Sequence, residues 1–506
     1  MLLAGRQEPL SASITILAPR YSGAPAQHTS ERPQLVWSLP LTTVRIFRHH
    51  IPKHFLWLAI AEFIAFAVAV WIGAEIRFYD MPETYEEASP IAPKALAISA
   101  VLVASLGGLG LYERQPNLGR RDIALRILAG FVFSLVPLSV IFYVVPSLYL
   151  GRGAVAIGLV LALLASFVGR FLFYNVMRQE VTKRHVLVLG TGRRALEIAD
   201  YLKTNRRSGV SLVGYVSMKS EEMPLVTKKV LSLNASLSDI ARQCGVDEIV
   251  VAVDDRRGGL PVSEILDCRM SGIEVVDALT FFERETGEVR LAHVTPGWMI
   301  FSDGFRAGFF HDVAKRAFDL LLVLILLPVA LPFMAMIVAA IKLEDGIRAP
   351  VLYSQLRVGQ KRKPFRILKF RSMHVGAERG AQPQWATTAD PRITRVGRVI
   401  RKIRLDELPQ LFNILRGDMS IVGPRPERPE FVADLERSLP YYSERHRLKP
   451  GLTGWAQICY KYGESNEDAY RKLQYDLYYV KNQSMFLDLL IVLQTIEVVL
   501  LGKGAH

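Results

Sequence analysis

The stretch "KRAFDLLLVLILLPVALPFMAMIVAAIK", Lys315–Lys342, decides how the chain is laid out. Its apolar part exceeds the ~20 residues that a helix needs to span a bilayer. Lys315 and Arg316 stand before it and Lys342 after it, while Pro328 and Pro332 interrupt its middle. Proline removes a helix hydrogen bond and clashes with the preceding turn. In lipid the freed carbonyls must find partners, which favours a packed elbow. Charge then weighs between crossing and returning. From Arg357 to Arg404 the chain carries fourteen Lys or Arg against Glu378 and Asp390 alone. That excess of twelve is most of the formal net charge of +14. A full crossing would carry it to the outer side, against the positive-inside rule. Residues 313–343 therefore read as a re-entrant helix that dips in, bends near Pro328 and returns. A kinked spanning helix is the alternative.

Upstream, four apolar runs read as spanning helices: Phe55–Ile76, Ile91–Tyr112, Ile123–Pro146 and Gly153–Met177. Arg45, Arg48 and Lys53 precede the first, and Arg178, Lys183 and Arg184 follow the fourth. Arg114, Arg120 and Arg121 lie between the second and third. The loop after the first is acidic, with Asp80, Glu83, Glu86 and Glu87. Both ends of this bundle, residues 43–180, thus face the cytoplasm. Half the chain is hydrophobic, and its mean hydropathy is +0.22. Residues 1–42 lack periodicity and read as a flexible tail without a signal peptide. Cys244, Cys268 and Cys459 fit no metal or disulfide spacing, which suits a reducing compartment.

Residues 181–305 read as a Rossmann-like, CoA-binding-like α/β domain. "HVLVLGTGRRALEIADYL", His185–Leu202, gives a buried strand, a Gly turn and a helix, and further strand-like runs alternate with helical ones. Gly190, Gly192 and Ala195 mimic a dinucleotide fingerprint. Ser217 stands where the ribose-binding acid belongs, and the YxxxK pair Tyr215 and Lys219 lies too close to the glycines. This argues against NAD and for a regulatory, ligand-sensing or structural domain.

The remainder, 312–506, reads as a mostly α domain ending in an apolar run, Met485–Leu501, suited either to the membrane surface or to covering the core. Within it, "RKIRLDELPQLFNILRGDMSIVGPRPE", Arg401–Glu427, sets cations around the adjacent acids Asp406 and Glu407. An ionised carboxylate can accept a phosphoryl group. It needs its repulsion from phosphate cancelled, by arginines and a hard cation such as Mg2+ held by Asp406 and Glu407. Lys369 and Arg371 alternate along a strand and so share a face. Arg401 precedes the acids, and Arg425 is bracketed by Pro424 and Pro426. Each cation alone is compatible with a solvated surface charge. Together, beside membrane helices, they indicate phosphate handling rather than nucleic-acid binding.

"LDELPQLFNILRGDMSIVGPRPE", "KPGLTGWAQ" and "KRAFDLLLVLILLP" resemble the bacterial polyprenyl-phosphate hexose-1-phosphate transferases, the monotopic phosphoglycosyl transferases. The bundle and the Rossmann-like region resemble the large form of that family. The ending "KLQYDLYYVKN…LLGKGAH" is similar to exopolysaccharide members of the PEP-CTERM/exosortase-associated type. The resemblance implies a UDP-hexose donor, undecaprenyl phosphate as acceptor, UMP as product, and catalysis on the cytoplasmic face of the inner membrane. It implies Asp406 as covalent nucleophile and Glu407 as its catalytic and metal-binding partner. Lys369, Arg401, Arg425 and, after "GWAQ", Asp476 are implied as substrate-binding groups. Where many members continue "GWAQ" with "VNGR", this chain has "ICYKYG", Ile458–Gly463, so the hexose stays unassigned. The fold expected is a multi-domain membrane protein: a four-helix transmembrane bundle, an α/β Rossmann-like domain and a mostly-α catalytic domain with a re-entrant helix. A homodimer through the Rossmann-like domain is also expected. The rival readings are a membrane-bound NAD-dependent nucleotide-sugar dehydratase or epimerase, and a non-enzymatic membrane sensor or scaffold.

Overall fold

A computed structural model describes residues 43–46, 49–112, 120–176, 183–205, 209–218, 225–226, 229–231, 236–254, 260–302, 304–305, 308–377, 392–460 and 465–500. The expected tail 1–42, Lys219, the acids Glu378 and Asp390, and residues 461–463 lie outside them. A short hairpin, β1 (Thr43–Ile46) and β2 (His49–Pro52), leads into α1 (Lys53–Phe78). The helices α2 (Pro82–Ala88), α3 (Ile91–Gly108), α4 (Arg120–Val144) and α5 (Arg152–Val176) follow. Of these, α1, α3, α4 and α5 are long and apolar enough to cross a membrane.

The helix α1 packs along α5 and α3, and α3 along α4. Glycines let α1 and α5 touch: a Cβ built on Gly73 would fall 2.5 Å from the backbone nitrogen of Gly158. Phe66, Val70, Ile98, Leu102 and Leu106 fill the interior. Ile64, Val68, Val132, Val136, Leu164 and Val168 point outward, an apolar exterior that water would penalise and hydrocarbon would not. A charge buried in such surroundings must be paired. Glu62 accordingly meets Arg170 at 2.8 Å, Ser166 at 2.9 Å and the Tyr112 hydroxyl. Arg170 and Arg126 also donate to the carbonyls of Leu111 and Leu109, just past the end of α3.

The second unit of structure is a parallel sheet. It comprises β3 (Arg184–Leu189), α6 (Arg193–Thr204), β4 (Val210–Val216), β5 (Val230–Leu231), α7 (Leu237–Gln243), β6 (Glu248–Val251), α8 (Val262–Met270), β7 (Glu274–Asp277) and α9 (Ala278–Thr286). The strand order is β5-β4-β3-β6-β7, all parallel. Alternate residues of a strand face opposite sides, and β3 obeys this in both layers. Val186 and Val188 enter one apolar cluster, while Leu187 and Leu189 enter the other. Burial on both faces explains the unbroken apolar run that marked this strand.

After α10 (Pro296–Phe301) comes α11 (Phe309–Asp345), which covers the decisive stretch. Its 37 residues contain Pro328 and Pro332 within one continuous helical assignment. One side, with Val323, Ala330, Met334, Ile337 and Ile341, joins the core of the C-terminal domain. The opposite side exposes Leu324, Ile325, Val329 and Met336.

The C-terminal domain pairs β8 (Leu352–Val358) with β9 (Pro364–Phe370) antiparallel. It continues through α12 (Arg395–Lys402), α13 (Gln410–Arg416), β10 (Ser420–Val422), α14 (Pro429–Ser438), β11 (Gly451–Thr453), α15 (Trp455–Cys459), α16 (Asn466–Asn482) and α17 (Met485–Leu500). Ser465 and Asp468 form a reciprocal cap at the start of α16. Of the two readings of the last apolar run, core cover is what the structure shows. Leu487 and Ile491 of α17 are buried in the domain core, and α17 also packs along α3 of the helical bundle.

Candidate active site

The carboxylates stand on a single tight turn. Arg404 adopts φ 60°, a left-handed conformation that side chains disfavour, and ends the run of α12. Residues 405–407 then form one 3-10 turn that presents Asp406 and Glu407, both buried. Backbone strain of this kind concentrates at functional sites.

Lys369 arrives from β9. Its Nζ lies 2.9 Å from Glu407 Oε1 and 3.9 Å from Asp406 Oδ2. Arg425 Nη2 lies 3.1 Å from the same Glu407 oxygen. Asn413 explains how Lys369 is delivered: its Oδ1 accepts from the Leu368 amide at 2.9 Å and its Nδ2 donates to the Arg366 carbonyl at 2.8 Å. These bonds pin β9 to α13. Sequence reading missed Asn413, although it is an amide set between the apolar Phe412 and Ile414 of α13.

Burial and charge drive the two acids apart. Burial pushes Asp406 above its ordinary value; Lys369 opposes this, and the neighbouring charge of Glu407 adds to it. Burial would raise Glu407 too, but Lys369, Arg425 and Arg404 overcome it and hold Glu407 well below the usual range. Arg401 acts on Asp406 through its charge.

Two expected partners lie elsewhere. Arg371 stands just beyond the end of β9, and its Nη2 meets Asp345 Oδ2 at 2.5 Å, at the C-terminal end of α11. Its amide still pairs with the Val351 carbonyl at 2.8 Å as a strand residue would, but Asp345 at the end of α11 claims its guanidinium, so it does not join Lys369 at the dyad. Asp476 is buried on α16 against Arg445, 2.8 Å from Nη2, rather than against the dyad.

Residues 310–502 match the family model described as bacterial sugar transferase. A "UDP-glucose:undecaprenyl-phosphate glucose-1-phosphate transferase" of Xanthomonas campestris pv. campestris is 30% identical over 82% of this chain and 89% of its own length. The chain belongs to the bacterial sugar transferase family. The sugar transferase is also similar to an "undecaprenyl-phosphate glucose phosphotransferase" of Komagataeibacter xylinus, 28% identical over 91% of this chain and 86% of that one. It is 42% identical to a "UDP-N-acetylgalactosamine-undecaprenyl-phosphate N-acetylgalactosaminephosphotransferase" of Aeromonas hydrophila, over 47% of this chain and 55% of that one.

The start of the long helix of this sugar transferase is wired into the site. Lys315 Nζ lies 3.1 Å from Asp319 Oδ1 and 2.9 Å from Asp488 Oδ2. Asp319 Oδ1 accepts from the Ser420 hydroxyl at 3.0 Å and the Ile421 amide at 3.2 Å. The strand so held, β10, runs directly into the loop that carries Arg425. Arg316 donates to the carbonyls of Ile414 and Leu415 at 2.5 and 2.7 Å, at the C-terminal end of α13, where cations are favoured.

Proposed function

We propose that the chain transfers hexose-1-phosphate from a UDP-hexose to undecaprenyl phosphate, releasing UMP, as the first membrane step of exopolysaccharide biosynthesis. One observation carries the reading: a buried Asp406 beside a Glu407 that is already neutralised by Lys369 and Arg425. An Asp406 oxygen attacks the β-phosphorus, which bears the sugar. The bond from that phosphorus to the bridging oxygen breaks, and UMP leaves with the oxygen. A phosphate oxygen of the lipid then attacks the same phosphorus and expels Asp406 as a free carboxylate. Lys369, Arg401, Arg404 and Arg425 offset the negative charge at both steps, a role that preorganised cations fill without reorganisation.

The two carboxylates of Asp406 and Glu407 fit Mg2+, which commonly takes one or two carboxylates and completes its shell with water and phosphate oxygens. No group of three metal-binding side chains occurs among the described residues, so phosphate would have to contribute. When bound, the ion would polarise the diphosphate. An NAD role for the sheet fits poorly. The Asp254 carboxylate accepts from the Arg193 and Arg194 amides at 2.7 and 3.2 Å, at the helix end where a dinucleotide's pyrophosphate would bind.

The membrane arrangement proposed is a four-helix transmembrane bundle in the bacterial inner membrane, a re-entrant α11 and a catalytic domain on the cytoplasmic face. Both ends of α11 dock on that one domain, which supports re-entry. Arg316 grips α13, while Asp345 meets Arg371 and Glu344 accepts from the Arg395 and Val396 amides. A straight helix of this length would reach ~55 Å, well beyond the ~30 Å hydrocarbon layer. Homodimerisation through the sheet domain is supported by α8, where Val262, Leu266 and Met270 form an exposed apolar stripe at helical spacing.

Purified protein in nanodiscs, given UDP-glucose, UDP-galactose and UDP-N-acetylgalactosamine in turn, should release UMP with at least one donor. Asp406→Asn should abolish release. Intact-mass analysis without lipid should show a hexose-phosphate adduct on wild type alone. Equal UMP release by Asp406→Asn overturns the reading.

A further inference from the structure

The loop Gly423–Glu427 reads GPRPE. The Gly423 amide still donates to the Thr453 carbonyl at 2.9 Å, but Pro424 and Pro426 have no amide hydrogen, so donation falls away just beyond it. From Pro424 onward the loop is held largely through its acceptors. Four successive carbonyls each receive a donor from a different place. Pro424 takes the Gly451 amide at 3.0 Å, and Arg425 takes Arg445 Nη2 at 2.9 Å. Pro426 takes Arg357 Nη1 at 3.1 Å, and Glu427 takes the Val358 amide at 3.0 Å. Two of the four donors are therefore guanidinium groups, one part-buried and one buried, rather than backbone.

Arg445 is the more deeply seated of the two. Its Nη2 also meets Asp476 Oδ2 at 2.8 Å, and its Nη1 donates to the Tyr442 hydroxyl. The guanidinium lies 5.0 Å from the centre of the Tyr442 ring. Arg445 and Asp476 are both buried and already paired with each other, so the charge of each is largely answered within the domain. The pair reaches toward the dyad through the Arg425 carbonyl, and the Arg425 side chain contacts Glu407 at 3.1 Å.

We propose that the Arg445–Asp476 pair is a positioning device: it holds the Arg425 backbone so that the guanidinium meets the donor's diphosphate preaimed. Asp476 then acts through Arg445 and not as a phosphate-binding group. The argument rests on the transferase reading, because it takes a diphosphate as the ligand of Arg425. An arginine pre-set in one orientation loses less freedom on binding than one that must be ordered.

The test is a mutant cycle read by two assays, calorimetric UDP binding and UMP release from UDP-hexose, on the full chain in nanodiscs. Removing both members of a buried ion pair together avoids stranding one charge, so the key variant is Arg445→Met/Asp476→Leu. It should melt close to wild type, bind UDP about tenfold more weakly and release UMP at least tenfold more slowly. Arg425→Ala should show a loss at least as large. Combining Arg425→Ala with the pair variant should give only the loss of Arg425→Ala alone, because both changes remove one contribution. Should the pair variant unfold, Asp476→Asn replaces it, with the same non-additivity expected. Wild-type UDP affinity and turnover in a folded pair variant, or losses that multiply with Arg425→Ala, overturn the proposal. Wild type that binds UDP yet releases no UMP sinks the transferase reading and leaves the positioning test standing. Wild type that binds no UDP overturns both.

Discussion

Burial pushes Asp406 up, while Lys369 and Arg425 hold its neighbour down. Attack requires the carboxylate form of Asp406, so turnover is lost as pH falls through its pKa, at a pH above that of an ordinary aspartate. Part of that rise comes from the negative charge of Glu407. Glu407→Gln removes this charge and leaves Lys369 to Asp406. The acid limb of kcat/KM should then move to lower pH, while the rate at neutral pH falls by about 10²-fold, the usual scale for losing one preorganised group. A pH–rate profile of both proteins checks the direction. An acid limb that stays in place would mean the two carboxylates do not share a field. The dyad, Arg401 and Arg425 were legible in the sequence because opposite charges crowd one short stretch, while Lys369 was legible as a cation on a strand-like run. Arg371 was misread because alternation along a strand says nothing about which acid another element, here Asp345 of α11, brings to that face. The role of Asp476 was hidden because its partner lies 31 positions back in the chain.

Helices dominate the element scale, and their glycines mark where two of them meet. Gly73 and Gly158 bring α1 and α5 to backbone contact. Small residues at a helix crossing gain dispersion contacts that lipid cannot supply. Gly158→Leu should force the pair apart, because a Cβ there already meets the Val70 backbone at 2.9 Å. Thermal-shift measurement in detergent should show a clear loss of stability, whereas Gly169→Leu, which has no neighbour within 4 Å, should change little. Such partner choice could not be read from hydropathy, which reports that a helix is apolar but not which helix it faces. Span positions were legible for the opposite reason: a twenty-residue apolar run needs no partner to be recognised. The sheet strands were equally readable, since burial on both faces removes the alternation that would place a strand at a surface.

For the whole molecule, a re-entrant α11 puts both of its ends on one side of the membrane. With Cys244, Cys268 and Cys459 replaced by serine, single cysteines from Asp312→Cys, in the first turn of α11, and Ile347→Cys, just past its end, bracket its apolar part. Both should react with a membrane-impermeant maleimide in inside-out vesicles and resist it in intact spheroplasts. Labelling of the two from opposite sides would replace re-entry by a crossing and place the catalytic domain outside.

The catalytic domain also borrows part of its interior from the chain before it. Leu279, Val289 and Leu291 sit in its core. The Trp455 indole donates to the Gly287 carbonyl at 2.8 Å, and Lys481 is paired with Glu283 at 2.7 Å. Genetic excision at Gly308 would therefore leave a hole rather than a seam, with a bare tryptophan and an orphaned ammonium on its rim. Fragments starting at 308 should run as aggregates on size-exclusion chromatography in detergent. Fragments that keep α9 and begin near Ile273 should elute as a single species.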